Sequence, residues 1–384
     1  MTVRGIKYLA LVLLSVCSLS GCKNSEQQTS KEGTPGDLSR DSRYSAYRFD
    51  KTAGGVDIGV QPLSLPESPL GELLIRDAVL AREFAATGAR YQIHNFFKGP
   101  ELNFFLSRGD LEAGISGDIP TLTMAARGDI VIVAMAKQGY SSIISRQAML
   151  TRDLKGKRIA TVPGSTAHFV LLNALANDGL SEKDVTIVPM ENHELPAALA
   201  DRKVDAISTR EPATTIALAG KQGFHLIHRG INMSFFYFRK DFVTSHPELA
   251  RQILAAVVRA CIWMRSPGNL ALASRWSIES ASRFQGSPYP LNPDRFSAIV
   301  KNDLLNIPAI PLFDERMLRI NDLMWREFEF IKKNGMIPAA VSWDKIRSSF
   351  DATLLRQVLE DPKRYGVDRF EYRMKIVPVR ETVP

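Results

Sequence analysis

Cysteine is scarce in this sequence. The 384 residues contain three, Cys17, Cys22 and Cys261. Cys17 falls in the N-terminal leader and Cys22, directly after it, is predicted to be blocked, as argued below. Cys261 then has no cysteine partner, and a fold held together by disulfides is excluded. Cys261 lies in an apolar run of helical spacing, residues 253–264, where it is predicted to be a small core residue.

Motifs of common enzyme classes are also missing. The chain has no Gly-x-Ser-x-Gly nucleophile elbow, no Gly-x-x-x-x-Gly-Lys-Ser/Thr phosphate loop and no Gly-x-Gly-x-x-Gly dinucleotide turn. His193-Glu194-Leu195-Pro196 begins like a zinc-protease motif but lacks the second histidine, and His225 and His228 lack a neighbouring cysteine or carboxylate cluster. We therefore predict no catalytic residue, no metal ligand and no cofactor.

The chain also has no run of Lys or Arg interleaved with aromatic residues. Its formal net charge is +8, but the basic residues are spread along the chain and mixed with acidic ones. This pattern predicts a solvated surface with a mild attraction for anions, and no nucleic-acid partner.

Long hydrophobic runs are lacking too: the run that follows Arg4 and Lys7 covers only residues 8–14. A charged start, a short apolar run and small residues after it are typical of a signal peptide, and the run is too short for an ordinary membrane span. The four residues that follow the small-residue region, Leu19-Ser20-Gly21-Cys22, resemble the lipobox of bacterial lipoproteins. The resemblance implies a signal peptide of residues 1–21 and a lipid on Cys22, which would hold the protein on the periplasmic or extracellular side of a membrane.

The residues after Cys22 are polar as far as Gly36, with no aromatic or branched apolar residue among them. Such a segment cannot bury a core. We expect a flexible tether over residues 22–53 and a folded part that begins near Gly54.

The most informative stretch of the folded part is residues 154–168. Arg158 to Val162 alternates like a strand, Pro163-Gly164 breaks it, and Ser165 or Thr166 is a good N-cap for the apolar-periodic residues that follow. The first N–H groups of such a helix lack intrahelical partners, and with two hydroxyls they suit an anionic oxygen. An ordinary capped helix without a ligand is the alternative.

Strands and helices alternate along residues 56–227, which predicts an α/β fold with doubly wound sheets. An aromatic-rich strand, residues 233–238, is expected to return to the first sheet, and from Pro247 onward the pattern is almost wholly helical. We expect a first lobe over residues 54–140, a second lobe over residues 141–237, and a return to the first lobe with a helical C-terminal extension over residues 238–384. Binding residues should lie where loops leave the carboxyl ends of strands.

Three segments in this order, residues 116–120, 154–168 and 204–212, resemble the periplasmic solute-binding proteins of ABC transporters for nitrate, sulfonates, taurine and thiamine-precursor aminopyrimidines. The resemblance covers roughly residues 54–270. It implies the type II periplasmic binding protein fold, with two α/β lobes that enclose one small ligand at a hinge. It also implies an ABC permease and its ATPase as partners, and a monomer.

The family's binding positions carry over to named residues of this chain. They are Ser116 and Gly117 in the first-lobe loop, Gly164, Ser165, Thr166 and Ala167 at the helix start, and Glu211 before Pro212. Arg210 departs from the family, which has an aromatic residue before the acid. Ser64, in the loop that leaves the first strand, is a further candidate. A carboxylate at Glu211 suits an amine, so a zwitterionic ligand fits better than nitrate.

Structural roles compete with several of these assignments. Glu211 could cap the helix that it opens. Arg210 is expected to form a surface ion pair, with contact to the anionic part of a ligand as the alternative. Asp118 is expected to be an N-cap, and His168 a partly buried packing residue. Phe96 and Phe97 are expected to pack in the core rather than to line a cleft.

The sequence as a whole predicts a lipid-anchored protein that delivers a small organic anion or zwitterion to an ABC permease. A ligand-sensing module that docks on a membrane receptor or kinase is the alternative, because both would close around a solute. Fungal pyrimidine synthases share the fold family, but their cysteine-rich motif is missing here, so an enzyme is not expected.

Overall fold

The architecture is a mixed α/β fold built on one sheet, as seen in a computed structural model that describes residues 37–52, 54–65, 67–220, 223–305 and 310–375. The strands are β1 Gly55–Val60, β2 Arg90–Asn95, β3 Ala113–Gly117, β4 Ile130–Ser145, β5 Arg158–Thr161, β6 Thr186–Pro189, β7 Ala206–Arg210 and β8 His225–Arg239. They form an eight-stranded sheet in the order β2-β1-β3-β8-β4-β7-β5-β6. The predicted α/β class is confirmed.

Helices cover both faces of this sheet and make up most of the chain after β8. The helices before β8 are α1 Glu67–Arg76, α2 Ala78–Ala86, α3 Gly99–Ser107, α4 Asp118–Ala125, α5 Thr166–Asn177, α6 Leu195–Ala200 and α7 Ala213–Ala219. Those after it are α8 Lys240–Ser245, α9 Pro247–Trp263, α10 Pro267–Gln285, α11 Pro293–Leu305, α12 Leu323–Lys333, α13 Trp343–Arg347 and α14 Thr353–Glu360. None of the helices in the described ranges is long and apolar enough to cross a membrane.

The two longest strands, β4 and β8, pair antiparallel along nearly their whole length and connect the two ends of the sheet. The sequence predicted only residues 233–238 of β8 as the aromatic-rich strand. Each of the two long strands contains one glycine, Gly139 in β4 and Gly230 in β8, and glycine usually weakens a strand. Here both glycines make room for close neighbours. A Cβ at Gly139 would lie 2.6 Å from Asp303 Oδ1, and one at Gly230 would lie 2.7 Å from Val170 Cγ2. The strands are therefore continuous.

The sheet has two ends, which we call the first half (β2, β1 and β3) and the second half (β7, β5 and β6). The parallel pairs β1–β2 and β1–β3 belong to the first half, and β5–β6 and β5–β7 to the second. A large apolar core packs on the first half and on the C-terminal helices, and two smaller cores lie against the second half. The second half thus has apolar packing of its own, joined to the rest through β4 and β8.

The start of the folded part differs from the sequence-based expectation. Residues from Leu38 onward belong to one compact unit, and Tyr44 is 2 % exposed. Its hydroxyl donates to Glu101 Oε2 at 2.6 Å, and its ring packs on Phe96 and Phe105. The predicted tether is therefore wrong over residues 38–52, because the aromatic residues of that segment bury themselves against α3. The predicted signal peptide and Cys22 lie outside the described residues.

Other differences are local. Residues 73–86 have apolar residues at helical spacing throughout, but they form parts of two helices, since Asp77 interrupts the run and caps α2 by accepting the N–H of Leu80. Within the helical C-terminal part, a 3₁₀ turn at Glu315–Leu318 precedes α12.

Candidate functional site

Charged side chains converge where the first and second halves face each other. Arg210, at the end of β7, donates to Gln61 Oε1 at 3.1 Å, and Gln61 lies in the loop after β1. Arg210 Nη1 also lies 4.0 Å from Oε1 of Glu67, the first residue of α1. Ser234 of β8 donates to that same oxygen at 2.5 Å. The Arg210 guanidinium therefore bridges the two halves.

A second ion pair lies at the middle of β4. Lys137 Nζ is 3.7 Å from Asp303 Oδ2, and the two side chains are 2 % and 8 % exposed. Asp303 comes from α11, and its carboxylate fits against the strand because residue 139 is glycine. Burial raises the pKa of the Asp303 carboxyl to about 6; Lys137 opposes the rise, and Glu211 and Glu67 add to it. We call Glu67, Lys137, Arg210, Glu211 and Asp303 the charged cluster.

The charged cluster is not neutral. It contains three carboxylates and two cations, and Oε2 of Glu67, which is fully buried, has no hydrogen-bond partner among the described residues. Buried charges without full pairing cost free energy. A ligand that carries charge of both signs would complete the pairing.

Glu211 has a local role as well. Its Oε2 accepts the N–H of Thr215 at 3.1 Å, in the first turn of α7. The capping alternative weighed from the sequence is thus seen in the structure. The same carboxylate is close enough to Asp303 and Tyr289 to raise the pKa of both groups.

A small cavity of about 180 Å³ lies beside the charged cluster and touches both halves. It is lined by Leu63 from the loop after β1, by Asn192 and His193 after β6, by Pro212, Ala213 and Ile216 after β7, by Gln285 at the end of α10, and by Ser287, Pro288, Tyr289 and Pro290 after α10. The Phe97 ring lies 5.8 Å from the ring of His193 and 4.4 Å from that of Phe284, and Phe97 packs against the large core, as expected. Phe96 is fully buried, also as expected.

The start of α5 is capped as the sequence predicts. Ser165 Oγ accepts the N–H of His168 at 3.3 Å, and Gly164 has a φ of +67°, a backbone conformation that suits glycine. The first-turn N–H groups of Thr166 and Ala167 have no partner within the helix. His168 is 7 % exposed and packs edge-on against Phe330, in agreement with its expected packing role.

A protein carboxylate lies in front of this helix start. Asp118 accepts a hydrogen bond from the Thr166 hydroxyl, and also from the N–H groups of Ile119 and Met233 at 2.8 Å each. The expected N-cap role of Asp118 is wrong, because Gly117 is the N-cap and Asp118 is the first residue of α4. Its carboxyl group instead joins α4 to α5 and β8. Gly117 allows this approach, since a Cβ there would lie 3.2 Å from Thr166 Oγ1.

Asp118 has a second acidic neighbour. Glu327 of α12 is fully buried beside Asp118. Burial, together with the adjacent Asp118, holds the pKa of Glu327 well above its ordinary value, and burial raises the pKa of Asp118 as well. Two buried carboxyl groups thus lie side by side, and the C-terminal helices contribute one of them to the junction of the two halves.

The structure separates the predicted site residues into two groups. Gly117, Thr166 and their neighbours Ser116, Gly164, Ser165 and Ala167 lie at the Asp118 junction, whereas Glu211 lies in the charged cluster. Ser64 is buried in the turn after β1, where its carbonyl accepts the N–H of Ser68 at 2.9 Å. Gln61 Nε2, 3.4 Å from Ser116 Oγ, links the two groups.

Sequence reasoning missed part of the charged cluster. The surface ion pair expected for Arg210 is wrong, because its side chain is 13 % exposed and faces the first half. Glu67, Lys137, Asp303 and Tyr289 were not predicted. Lys137 could have been recognised from the sequence, since it is the single charged residue in the mainly apolar run from Ile130 to Ile144. Nothing in the sequence around Asp303 or Tyr289 indicates a role in the site. No group of three His, Cys, Asp or Glu side chains within the described ranges could hold a metal ion.

Comparison with known proteins shows which proteins this chain resembles. Residues 120–278 match the model of the NMT1-like family. The chain is 27 % identical over 286 residues to the taurine-binding periplasmic protein of Escherichia coli strain K12, a match that covers 69 % of this chain and 83 % of that protein. A second relative from that strain, named as a candidate aliphatic sulfonates-binding protein, is 27 % identical over 46 % of this chain and 59 % of its own length. This chain is thus similar to a taurine-binding periplasmic protein and to proteins named for binding aliphatic sulfonates.

Solved structures share the fold. The alkanesulfonate-binding protein SsuA from Xanthomonas axonopodis pv. citri, bound to MOPS, has a TM-score of 0.58 and 23 % identity, and the match covers 79 % of this chain and 99 % of that one. The desulfurization enzyme DSZB has the same fold, with a TM-score of 0.53 and 15 % identity over 80 % of this chain and 99 % of that one. The predicted periplasmic binding protein fold is confirmed.

Proposed function

We propose that this protein is an extracytoplasmic solute-binding protein, held to a membrane by lipid on Cys22, which captures a small organic anion or zwitterion for import by an ABC transporter. The single observation that carries the proposal is the charged cluster between the two halves, with Arg210 bridging them. The similarity to taurine- and sulfonate-binding relatives supports it. The periplasmic location named for the taurine-binding relative supports an extracytoplasmic location. A permease and an ATPase are the partners that we propose.

The composition of the cluster favours a zwitterion over nitrate. Arg210 offers planar N–H donors that suit a sulfonate or carboxylate, and Glu67, Glu211 and Asp303 suit an ammonium group. Ser64, Ser116, Gly117, Gly164, Ser165, Thr166, Ala167 and Glu211 remain predicted ligand contacts. The predicted contacts at the start of α5 would bind the ligand only when the two halves separate far enough for Asp118 to move away from the start of that helix. We propose two lobes that move about the crossing strands β4 and β8, near Gly139.

Binding rather than catalysis is part of this proposal. Cys261 is the single cysteine of the described residues, and it is fully buried on α9. Burial raises the pKa of its thiol to about 12, so it is a poor nucleophile at neutral pH. The fold shared with a desulfurization enzyme carries no reaction to this chain.

The first test is a ligand screen on the mature chain carrying Cys22→Ser. Taurine, ethanesulfonate, nitrate and an aminopyrimidine are added at millimolar concentration, and the unfolding temperature is measured. A ligand present at about 100 times its Kd stabilises the fold by about 2.7 kcal/mol, which gives a clear rise. We expect taurine to give the largest rise. No rise with any of the four would contradict the proposed ligand class.

Anchoring is tested separately in cells that express the full chain. We expect the wild-type protein in the membrane fraction and the Cys22→Ser variant in the soluble fraction. Cys17→Ser is the matched control and should leave the fractionation unchanged. A Cys22→Ser variant that stays with the membrane as firmly as the wild type would exclude the lipid anchor.

A further inference from the structure

The C-terminal region reaches the charged cluster from a third side. Asp303 of α11 forms its ion pair with Lys137 beside Gly139, where the strand has no side chain. Tyr289, in the loop before α11, lines the 180 Å³ cavity. The two halves of the sheet supply the other walls, through Glu67 and Glu211. The site is therefore built from three parts of the chain.

The loop that carries Tyr289 is held in place by its own hydrogen bonds. The Tyr289 N–H donates to Ser282 Oγ at 3.0 Å, and Gln285 Nε2 donates to the carbonyls of Ser287 and Pro288 at 3.0 and 3.2 Å. The Tyr289 ring packs against Phe296 at 5.8 Å. The tyrosine is thus fixed at the cavity without help from a ligand.

The Tyr289 hydroxyl has no hydrogen-bond partner in the described part of the chain, although the oxygen is buried. A buried hydroxyl without a partner costs free energy, and tyrosine hydroxyls usually find one. Asp303 Oδ2 and Glu67 Oε2 are also without hydrogen-bond partners there. Three buried oxygen atoms at this end of the site thus have no hydrogen-bond partner, although Lys137 Nζ lies 3.7 Å from Asp303 Oδ2. A ligand group with several N–H donors and a positive charge would suit these oxygens.

We propose that Tyr289 and Asp303, together with Glu211, bind a cationic amino group of the ligand, and that the C-terminal region thereby selects amino-bearing anions over anions without an amine. This rests on the proposed function, since it assigns the amine end of the ligand bound there. Arg210 would hold the anionic end. The inference assigns ligand contacts to a part of the chain beyond the residues that match the family model.

The test compares two probes by calorimetry on the mature chain: taurine, and ethanesulfonate, which has the same sulfonate without the amine. Asp303→Asn should weaken taurine binding by about 10- to 100-fold, because a charged hydrogen bond is lost, and Tyr289→Phe by about 3- to 10-fold. Ethanesulfonate affinity should change less than threefold in both. Asp294→Asn, an exposed residue of the same helix, is the control and should alter neither affinity.

A series of affinity measurements at different pH values uses the wild-type chain, so its result does not depend on whether a variant folds. Asp303 is faced by Lys137 from β4, Glu67 from α1, Glu211 after β7 and the Tyr289 loop. Since its pKa is about 6, taurine affinity should fall by up to tenfold per pH unit below pH 6, because the protonated carboxyl no longer pairs with the ammonium. Ethanesulfonate affinity should not fall over that range.

The outcomes separate the two proposals. Equal losses of taurine and ethanesulfonate binding in Asp303→Asn and Tyr289→Phe, or parallel pH profiles for the two probes, would overturn the assignment of the amine while leaving a sulfonate-binding protein. Binding of neither probe by the wild-type chain would overturn the sulfonate class of the proposed function, and the amine assignment with it.

Discussion

The hydroxyl of Thr166 donates to the carboxylate of Asp118, so the start of α5 faces a charge that belongs to the protein itself. A helix N-terminus favours a negative charge in front of it. Asp118 supplies that charge in this conformation and ties the second half to the first. A ligand anion at the same place would have to replace it.

Ser165→Ala and Thr166→Val test the two functions of this junction. Loss of the Ser165 cap should lower the free energy of unfolding by about 1 kcal/mol. Thr166→Val removes one donor from buried Asp118 and should cost about 1–3 kcal/mol. Urea denaturation measures both, with the exposed Ser348→Ala as control. If taurine affinity is unchanged in the folded double variant, the helix start does not bind the anion.

Arg210→Gln is expected to weaken taurine binding by about 10- to 100-fold, because a charged hydrogen bond at a largely buried site is lost. Arg210→Lys should recover only part of the affinity, since an ammonium cannot reproduce the planar pair of donors. Titration calorimetry measures the effect. Arg275→Gln on the exposed face of α10 should bind like the wild type. An Arg210→Gln variant with wild-type affinity would remove Arg210 from the site.

Glu327→Gln should change how stability depends on pH. Burial raises the folded-state pKa of Glu327 well above 4.5, so the folded chain keeps a proton that the unfolded chain loses. The stabilisation is fully present below pH 4.5 and is lost as pH rises toward the folded pKa. Glutamine is uncharged at every pH, so a glutamine at position 327 should not show this loss.

The unfolding temperature of the Glu327→Gln variant should therefore rise relative to the wild type between pH 5 and pH 8. Thermal unfolding at both values measures it. Glu315→Gln, whose side chain is 70 % exposed, should follow the wild type at both. A constant difference between Glu327→Gln and the wild type across this range would mean that Glu327 is not protonated in the folded chain.

Tyr44→Ala should lower the free energy of unfolding by about 3–5 kcal/mol, as for other large aromatic residues removed from a core. Tyr44→Phe keeps the ring but leaves buried Glu101 without its hydroxyl donor, and should cost about 1–3 kcal/mol. Chemical denaturation measures both, and Phe370→Ala, 43 % exposed, is the control. A Tyr44→Ala variant as stable as the wild type would instead support the prediction that residues 38–52 form a flexible tether.

Local pattern predicted most elements of the first 220 residues, because periodicity and capping act within a few residues of each other. The strand, turn and helix around Pro163 are an example, with Ser165 capping α5 as expected. The lengths of β4 and β8 could not be predicted in this way. Gly139 and Gly230 look like breaks, and only the positions of Asp303 and Val170 explain why the strands continue through them.

The sequence by itself determined the α/β class, the cap of α5 and the resemblance to sulfonate-binding proteins, since each depends on residues close together in the chain. Only the tertiary structure decided that Asp118 covers the helix start, that Arg210 faces inward, and that Asp303 and Tyr289 reach the site from the C-terminal region. The physical reason is that these contacts join segments that are distant in the sequence. Such a contact does not change the pattern of apolar and polar residues in either segment, so the pattern cannot predict it.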